Sequence, residues 1–329
     1  MSSIGPYEVY TDWNFSTNGA FAFATRDGEN YFVKKMIAPK YPNKETTSRD
    51  TYKKMLSEAE AWEKRTRKMH QTLAKASKGC RELVVPVELL REKSTYYIVS
   101  PMISDAIDME NLRRMSDSEK VEVFTSVIKG LEALERNRIV HGDIKMENIM
   151  VVNSGGRLEA RIFDFEEAYM SGKPPKNDSM GGSVECFSPE QGAYIDSVGS
   201  ADMITCKTDV FSAGVALYEM LTGDYPGCPA GCTYMAEKDS DIDLSLAPRA
   251  LQPVLAEMLR LDPTERSSAS DIASRMEGVE RTAPRTDRKI TIVRTRGGMW
   301  KVTIDGATAI VTTAIAESIA RDYGATMEG

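Results

Sequence analysis

Apolar and aromatic side chains recur at short intervals along the amino-terminal part of the chain, and this pattern predicts an antiparallel sheet. A two-residue period places successive side chains on opposite faces of a strand. The predicted strands are residues 7 to 10, 21 to 24, 31 to 34, 83 to 87 and 96 to 99. Residues 26 to 30 (Arg-Asp-Gly-Glu-Asn) are typical of the tight turn that joins the second and third strands.

The 3.6-residue period of amphipathic helices dominates the remainder of the chain. A long helix is predicted at residues 49 to 76, and a second helix follows Ser116, a residue type favoured at helix N-caps. Further helices are predicted at residues 209 to 222, 248 to 260 and 268 to 277, and strands at residues 149 to 152 and 158 to 163. A sheet with one long helix, followed by a mostly helical part, is an α+β fold.

The composition changes at the carboxyl-terminal end, where a polar segment at residues 280 to 288 predicts a linker. A small ββα unit is predicted at residues 289 to 329. Its predicted elements are strands at residues 290 to 294 and 299 to 304 and a helix at residues 312 to 322. Because so small a unit can bury little apolar surface, we expect it to pack on the larger unit or to bind a protein partner as an interaction or regulatory module.

Composition narrows the classes of partner. The 329 residues carry a net charge of −7 and a pI near 5.2, which argues against a nucleic-acid or anionic-membrane partner. The five cysteines are scattered, a pattern that favours reduced thiols over a disulfide framework. No stretch approaches the ~18 apolar residues of a membrane span. We therefore expect a soluble, cytoplasmic protein.

The strongest chemical signal is the segment from His141 to Asn148, which lies between two apolar stretches. It holds Asp143, Lys145 and Asn148 at offsets 0, +2 and +5, so a short loop can aim all three at one point. Phosphoryl transfer requires a carboxylate that orients a hydroxyl, a cation near the moving phosphate and an amide for a metal. A polar surface loop is the alternative interpretation of this segment alone.

Five motifs, in order along the chain, resemble those of eukaryotic-like Ser/Thr protein kinases, including the bacterial members of that family. They are the catalytic loop at residues 141 to 148, Phe163 to Glu166, Ser188 to Glu190, Asp209 to Gly214, and Arg266. The resemblance covers residues 7 to 277. It implies a bilobal protein-kinase-like fold, with a small antiparallel sheet and one long helix at residues 1 to 103 and a mostly helical lobe at residues 104 to 279.

The resemblance also implies ATP and Mg²⁺ as cofactors and gives roles to individual residues. Asp143 would orient the acceptor hydroxyl, and Lys145 would neutralise charge on the transferred phosphoryl group. Asn148 and Asp164 would hold Mg²⁺, and Lys34 would bind the α and β phosphates of the nucleotide.

A glutamate of the long helix would fix Lys34 in the cleft by the same resemblance. The glutamates of suitable position are Glu58, Glu60 and Glu63. Glu58 is preferred because Trp62, one turn on, supplies the apolar neighbour that the family buries there. Lys35 is the alternative to Lys34, because a shift of one residue moves a side chain to the other face of a strand.

The remaining nucleotide contacts lie in the first hairpin and at the end of the last strand of the sheet. Gly19 is the one glycine kept from the family's glycine-rich loop, and Phe21 stands where valine is usual. The backbone groups of Pro101 and Ile103 would hydrogen-bond adenine. Asp209 is expected to hydrogen-bond the catalytic-loop backbone.

The implied activity is transfer of the γ-phosphoryl group of ATP to a serine or threonine hydroxyl of a protein, with autophosphorylation. Ser183 takes the place of a threonine typical of Ser/Thr-specific members, and Arg266 is expected to pair with Glu190. One alternative is a pseudokinase scaffold that binds nucleotide or partners without turnover. The other is a small-molecule phosphotransferase, which shares the His-Gly-Asp sequence but lacks the later motifs.

Two departures from the family pattern predict altered regulation. Gly142 replaces the arginine that reads a phosphorylated activation segment, residues 164 to 190, so phosphorylation there is not expected to be a strict switch. Glu166 replaces a glycine, and we expect it to restrict the backbone beside Asp164 or to add a carboxylate near the metal.

Overall fold

Seven strands at the amino-terminal end form one antiparallel sheet in the computed structural model. The structure describes residues 2–16, 19–107, 111–112, 115–282, 290–295, 297–304, 307–323 and 326–328. The strands are β1 (Ser2–Ile4), β2 (Tyr7–Val9), β3 (Asn14–Ser16), β4 (Gly19–Arg26), β5 (Glu29–Met36), β6 (Glu88–Glu92) and β7 (Thr95–Pro101). Their order is β1-β2-β4-β5-β7-β6, with β3 paired to β4.

The two faces of this sheet bury different side chains because strand residues alternate between faces. One face carries the buried cluster Ile4, Tyr7, Val9, Ala22, Ala24, Val33 and Val99. On the other face Phe21 lies opposite Lys34 in the β4–β5 pair, and Phe32 lies opposite Ser100 in the β5–β7 pair. The register of β5 therefore decides which of its two adjacent lysines shares a face with Phe21 and Phe32.

Helix α1 spans Arg49–Ala76, the range predicted from the sequence. It packs on the Lys34 side of the sheet, where Ala59 joins Met36, Leu89, Tyr96 and Ile98 in a buried cluster.

The strand predicted at residues 83 to 87 is wrong, because the segment forms an isolated bridge at Leu83 and meets the sheet only near its end, where the amide of Val87 donates to the carbonyl of Val99 at 2.8 Å. Leu83 bridges to Ile162, and the backbone amide of Val84 donates to the carbonyl of Ile162 at 2.9 Å. Pro86 has no amide hydrogen to give to a ladder. The strand of the sheet is instead β6, which begins at Glu88.

The second part of the molecule is mostly helical and surrounds the largest buried cluster. Its helices are α2 (Asp117–Arg136), α3 (Pro189–Ile195), α4 (Cys206–Thr222), α5 (Gln252–Met258) and α6 (Ala269–Thr282). The predicted N-cap of α2 is confirmed, since Ser116 and Glu119 form a reciprocal capping box. The short strands are β8 (Ile139–Val140), β9 (Ile149–Ser154), β10 (Arg157–Ile162) and β11 (Tyr169–Met170). Helix α6 continues past residue 279, where the linker was expected.

The carboxyl-terminal unit has more strands than the predicted ββα arrangement. Its elements are β12 (Ile290–Arg294), β13 (Trp300–Ile304), β14 (Ala307–Val311), α7 (Thr313–Tyr323) and β15 (Met327–Glu328). The sheet order is β14-β13-β12-β15, with β15 parallel to β12. Trp300 packs in its small core beside Ile292, Val302 and Ala316. Most of the predicted linker, residues 283 to 288, lies outside the described residues.

Within the described ranges, no helix combines the length and the apolar character needed to cross a lipid bilayer.

Candidate active site

A carboxylate of helix α4 holds the backbone of the catalytic loop. Asp209 is buried, and its side-chain oxygens accept hydrogen bonds from the backbone amides of His141 at 2.6 Å and Gly142 at 3.0 Å. Burial raises the pKa of Asp209 to about 7, whereas the two amides act to lower it. The prediction that Asp209 binds the catalytic-loop backbone is confirmed, and the loop is fixed at its first two residues.

His141 joins this loop to the segment that carries Asp164. Its Nε2 lies 2.9 Å from the carbonyl oxygen of Phe163, and its ring lies 4.7 Å from the ring of Phe165. Asp164 itself adopts a left-handed backbone with φ of 65° and begins a short 3-10 turn, Phe165–Glu167. The buried Phe165 side chain therefore anchors the turn and leaves the acidic residues on either side of it in the cleft.

The side chains of Asp143, Lys145, Asn148 and Ser183 converge at one point. Lys145 Nζ lies 2.9 Å from Asp143 Oδ2 and donates to Ser183 Oγ at 2.8 Å. Ser183 Oγ donates to Asp143 Oδ1 at 3.2 Å, and Asn148 Nδ2 donates to Asp143 Oδ2 at 3.0 Å. A carboxylate held by three donors keeps one orientation, which the role expected for Asp143, orienting a substrate hydroxyl, would require.

Lys34 reaches across from the sheet to the same cleft. Its Nζ lies 3.1 Å from Asp164 Oδ2 and 2.8 Å from Glu166 Oε1, and its side chain is only 12% exposed. Burial alone would lower the pKa of Lys34, but the charges of Glu166 and Asp164 outweigh it and hold the pKa above its usual value. Lys35 points to the other side of the strand, where its Nζ lies 5.7 Å from the Trp13 ring.

The expected partner of Lys34, Glu58, does not pair with it in the structure. The Glu58 side chain is 62% exposed, and it lies 4.0 Å from Lys54 on the same helix. Helix α1 turns Ala59 and Trp62 toward the sheet, so the position one residue before Ala59 faces outward. The preference for Glu58 from its neighbour Trp62 was therefore wrong about the pairing.

The two alternative helix glutamates also lie elsewhere. Glu60 is exposed. Glu63 accepts a hydrogen bond from the Tyr96 hydroxyl at 3.1 Å and pairs with Arg67 at 2.9 Å. Glu166 departs from the family pattern at its position, but nothing in the sequence indicated that its side chain would contact Lys34.

Aromatic rings line the sheet face between Lys34 and the end of β7. The rings of Phe21 and Phe32 are stacked with centroids 5.2 Å apart, and Phe23 contacts both edge-on. All three rings are partly exposed. A nucleotide base placed between Lys34 and the last residues of β7 would therefore contact aromatic rings.

The other residues expected to contact the nucleotide lie at the two ends of this face. Gly19 begins β4 with φ of +144°, and a Cβ there would lie 2.6 Å from the carbonyl oxygen of Lys35. Only glycine fits at that position. Pro101 is the last residue of β7, and Ile103 follows it in the connecting segment after Met102.

The charged side chains line a cleft of about 420 Å³. Its charged lining residues are Lys34, Asp143, Lys145, Asp164, Glu166 and Glu167. The carboxylate of Asp164 and the side-chain amide of Asn148 are oxygen donors of the kind that Mg²⁺ prefers. Among the described residues no group of three or more His, Cys, Asp or Glu side chains is placed to hold a metal. A bound Mg²⁺ would therefore take further oxygens from phosphate groups or water, as is usual for this ion.

The activation segment packs closely on the catalytic loop. A Cβ on Gly182 would lie 3.0 Å from the carbonyl oxygen of Gly142, and a Cβ on Gly181 would lie 2.6 Å from the carboxyl carbon of Glu167. Gly182 thus lets the two backbones approach next to the point where Ser183 meets Asp143, and Gly181 leaves room for the side chain of Glu167.

A buried ion pair holds the carboxyl-terminal end of the activation segment at Glu190. Arg266 forms a bidentate pair with Glu190 at 2.6 and 3.0 Å, with side chains 0% and 4% exposed. The predicted pairing of these two residues is confirmed.

Comparisons with known proteins agree with this geometry. The family model described as the protein kinase domain matches residues 21–276. A probable serine/threonine-protein kinase PknB of Lactococcus lactis is 24% identical over 175 residues, which are 50% of this chain and 25% of that protein. The serine/threonine-protein kinase PrkC of Bacillus subtilis is 25% identical over 211 residues, 61% of this chain and 31% of that protein.

A eukaryotic relative has similar coverage. The calcium and calcium/calmodulin-dependent serine/threonine-protein kinase of Lilium longiflorum is 28% identical over 170 residues, 48% of this chain and 31% of that protein. The matched regions span less than a third of the length of each of these relatives.

Proposed function

Because the chain belongs to the protein kinase domain family, we propose that it is a protein-serine/threonine kinase. It would transfer the γ-phosphoryl group of ATP to the hydroxyl of a serine or threonine in a protein, and it would phosphorylate itself by the same reaction. The observation that carries the proposal is the convergence of Lys34, Asp143, Lys145 and Asp164 on one cleft.

Each of these side chains has a part in the proposed transfer. Asp143 would accept a hydrogen bond from the acceptor hydroxyl and orient it toward the phosphorus. Lys145, 2.9 Å from Asp143, would neutralise charge on the transferred group. Lys34 would bind the α and β phosphates.

Asn148 and Asp164 are the residues that would hold Mg²⁺. The ion, when bound, supplies positive charge that screens the phosphate oxygens from the incoming hydroxyl. Asn148 also donates to Asp143 at 3.0 Å, so the metal-binding and hydroxyl-orienting residues are linked directly.

The nature of the acceptor is supported by Ser183. Its hydroxyl already bonds both Asp143 and Lys145, at 3.2 and 2.8 Å. A second hydroxyl of similar size, presented by a protein chain over this loop, would meet the same two groups. This favours an aliphatic hydroxyl over the longer phenol of tyrosine.

A single assay tests the proposal. Purified protein is incubated with γ-labelled ATP, Mg²⁺ and generic protein acceptors, and label on serine and threonine is measured for the wild type and for Asp143→Asn. We expect label on protein that falls about 100- to 10,000-fold in the variant. Nucleotide binding without any labelled protein would instead favour a scaffold, and label on small molecules alone would favour a small-molecule phosphotransferase.

A further inference from the structure

Lys34 is held by two carboxylates that come from one short segment. Its ammonium lies 2.8 Å from Glu166 and 3.1 Å from Asp164, and the three side chains are 12%, 19% and 30% exposed. Both acidic residues flank Phe165, which is buried against His141. The segment itself is fixed by the β11–β8 pair, in which Tyr169 lies opposite Val140. The position of Glu166 is therefore set by the helical lobe.

The helix α1 glutamates do not compete for this lysine in the structure. Glu58 is 62% exposed, and the carboxylate of Glu63 is engaged by Tyr96 and Arg67. The sheet face that carries Lys34 thus receives its nearest negative charges from across the cleft rather than from the helix packed beside it.

When nucleotide and Mg²⁺ are bound, the carboxylates of Asp164 and Glu166 would differ in how available they are to Lys34. Asp164 is one of the two residues proposed to hold Mg²⁺, and a carboxylate drawn to a divalent cation is less available to an ammonium. Glu166 is the remaining partner, at the shorter of the two distances. A partly buried ion pair in a cleft shielded from water is worth more than one on the surface.

We propose that Glu166 is the positioning residue of Lys34, and that it holds the ammonium toward the phosphates in place of a glutamate from helix α1. The inference rests on the proposed kinase function. It implies that the orientation of Lys34 depends on the segment after Asp164 and not on the rotation of α1.

A double-mutant cycle on unfolding tests the pair without any need for turnover. Equilibrium unfolding in denaturant is measured at low salt for the wild type, Lys34→Met, Glu166→Gln and the double variant. We expect the two changes to be non-additive by at least roughly fivefold in the unfolding constant. The matched cycle of Lys34→Met with Glu58→Gln, whose side chain is 62% exposed, should be additive within about twofold.

Nucleotide affinity distinguishes a positioning role of Glu166 from a merely structural role. Binding of ATP with Mg²⁺ is measured for the same variants. Glu166→Gln should weaken binding roughly tenfold in the wild-type background and have no further effect in the Lys34→Met background. A general loss of structure would weaken binding by the same factor in both backgrounds and would overturn the inference.

Two further outcomes would overturn it. One is an additive Lys34–Glu166 cycle. The other is a loss of nucleotide affinity in Glu58→Gln or Glu63→Gln as large as that in Lys34→Met, which would mean that the helix turns inward when nucleotide binds. If Glu166→Gln does not fold, Glu166→Asp, which keeps the charge but draws it back by one methylene, takes its place in both cycles. A protein that binds nucleotide and shows the coupling but labels no acceptor would disprove the proposed function and leave the inference standing.

Discussion

Lys34 and Lys35 are neighbours in the chain, yet only Lys34 faces the cleft. The difference follows from the two-residue period of strand β5, which sends Lys34 toward Asp164 and Lys35 toward the ring of Trp13. The choice between them depended on register, and the position of Phe21 opposite Lys34 sets that register.

The aromatic stack beside Lys34 gives a prediction about the nucleotide base. Phe32 is stacked on Phe21 and lies opposite Ser100, next to Pro101, whose backbone we expect to contact the base. Phe32→Ala removes a ring from this face, so we expect the variant to accept an ATP analogue enlarged at N6 of adenine. The ratio of KM for that analogue to KM for ATP should fall roughly fivefold or more relative to the wild type, which is about 1 kcal/mol.

The control for Phe32→Ala is thermal unfolding, because a lost ring also costs stability. Partial exposure of Phe32 should keep that cost below the ~3 kcal/mol of a fully buried phenylalanine. An unchanged KM ratio in a folded variant would mean that the base does not contact this ring.

The activation segment is ordered by contacts that need no phosphate. Ser183 bonds Lys145 and Asp143, and Gly182 packs on the catalytic-loop backbone at Gly142. Gly142 brings no guanidinium to which a phosphate could bind. We expect treatment with a phosphatase to leave kinase activity within about twofold of the untreated protein. Heat-inactivated phosphatase is the control, and complete loss of activity on dephosphorylation would contradict the prediction.

The buried pair of Arg266 and Glu190 ties α3 to the segment before α6. Glu190→Gln would leave a fully buried guanidinium without its counter-charge, which costs about 3–5 kcal/mol of unfolding free energy. The matched control is Glu265→Gln, since Glu265 is 67% exposed and lies 3.6 Å from Arg260. An exposed pair of this kind is worth less than ~1 kcal/mol. Denaturant unfolding measures both, and equal effects of the two changes would refute the argument.

The whole molecule should lose stability in mild acid through its two histidines. Burial, assisted by Arg67, lowers the pKa of His70 to about 4, and burial also lowers the pKa of His141. In the unfolded chain a histidine takes up its proton near pH 6.5, whereas folded His70 does so only near pH 4. Between these values the unfolded state binds more protons, so stability is present above pH 6.5 and is lost as the pH falls.

A variant isolates the contribution of His70. The unfolding free energy of the wild type should fall by about 1 kcal/mol per pH unit for this residue between pH 6.5 and 4. His70→Gln cannot take up a proton, so its pH dependence should be correspondingly shallower. Parallel curves for the two proteins, measured by denaturant unfolding at several pH values, would show that His70 is not the group responsible.

The sequence by itself determined the class of fold, the family and the loop from His141 to Asn148. These features depend on local spacing: periodicity along a helix, a capping residue such as Ser116, and polar groups a few residues apart on one loop. Helix α1 was predicted at its observed ends, and the family match covers residues 21–276.

Only the tertiary structure decided which charges meet. The rotation of α1 turns Glu58 outward, away from Lys34. The anchoring of Phe165 against His141 instead brings Glu166 to Lys34. The strand expected at residues 83 to 87 failed for the same reason, since Leu83 and Val84 pair with Ile162 of β10 in the other lobe. Contacts across a cleft depend on how whole elements are oriented, and no local pattern of residues records that orientation.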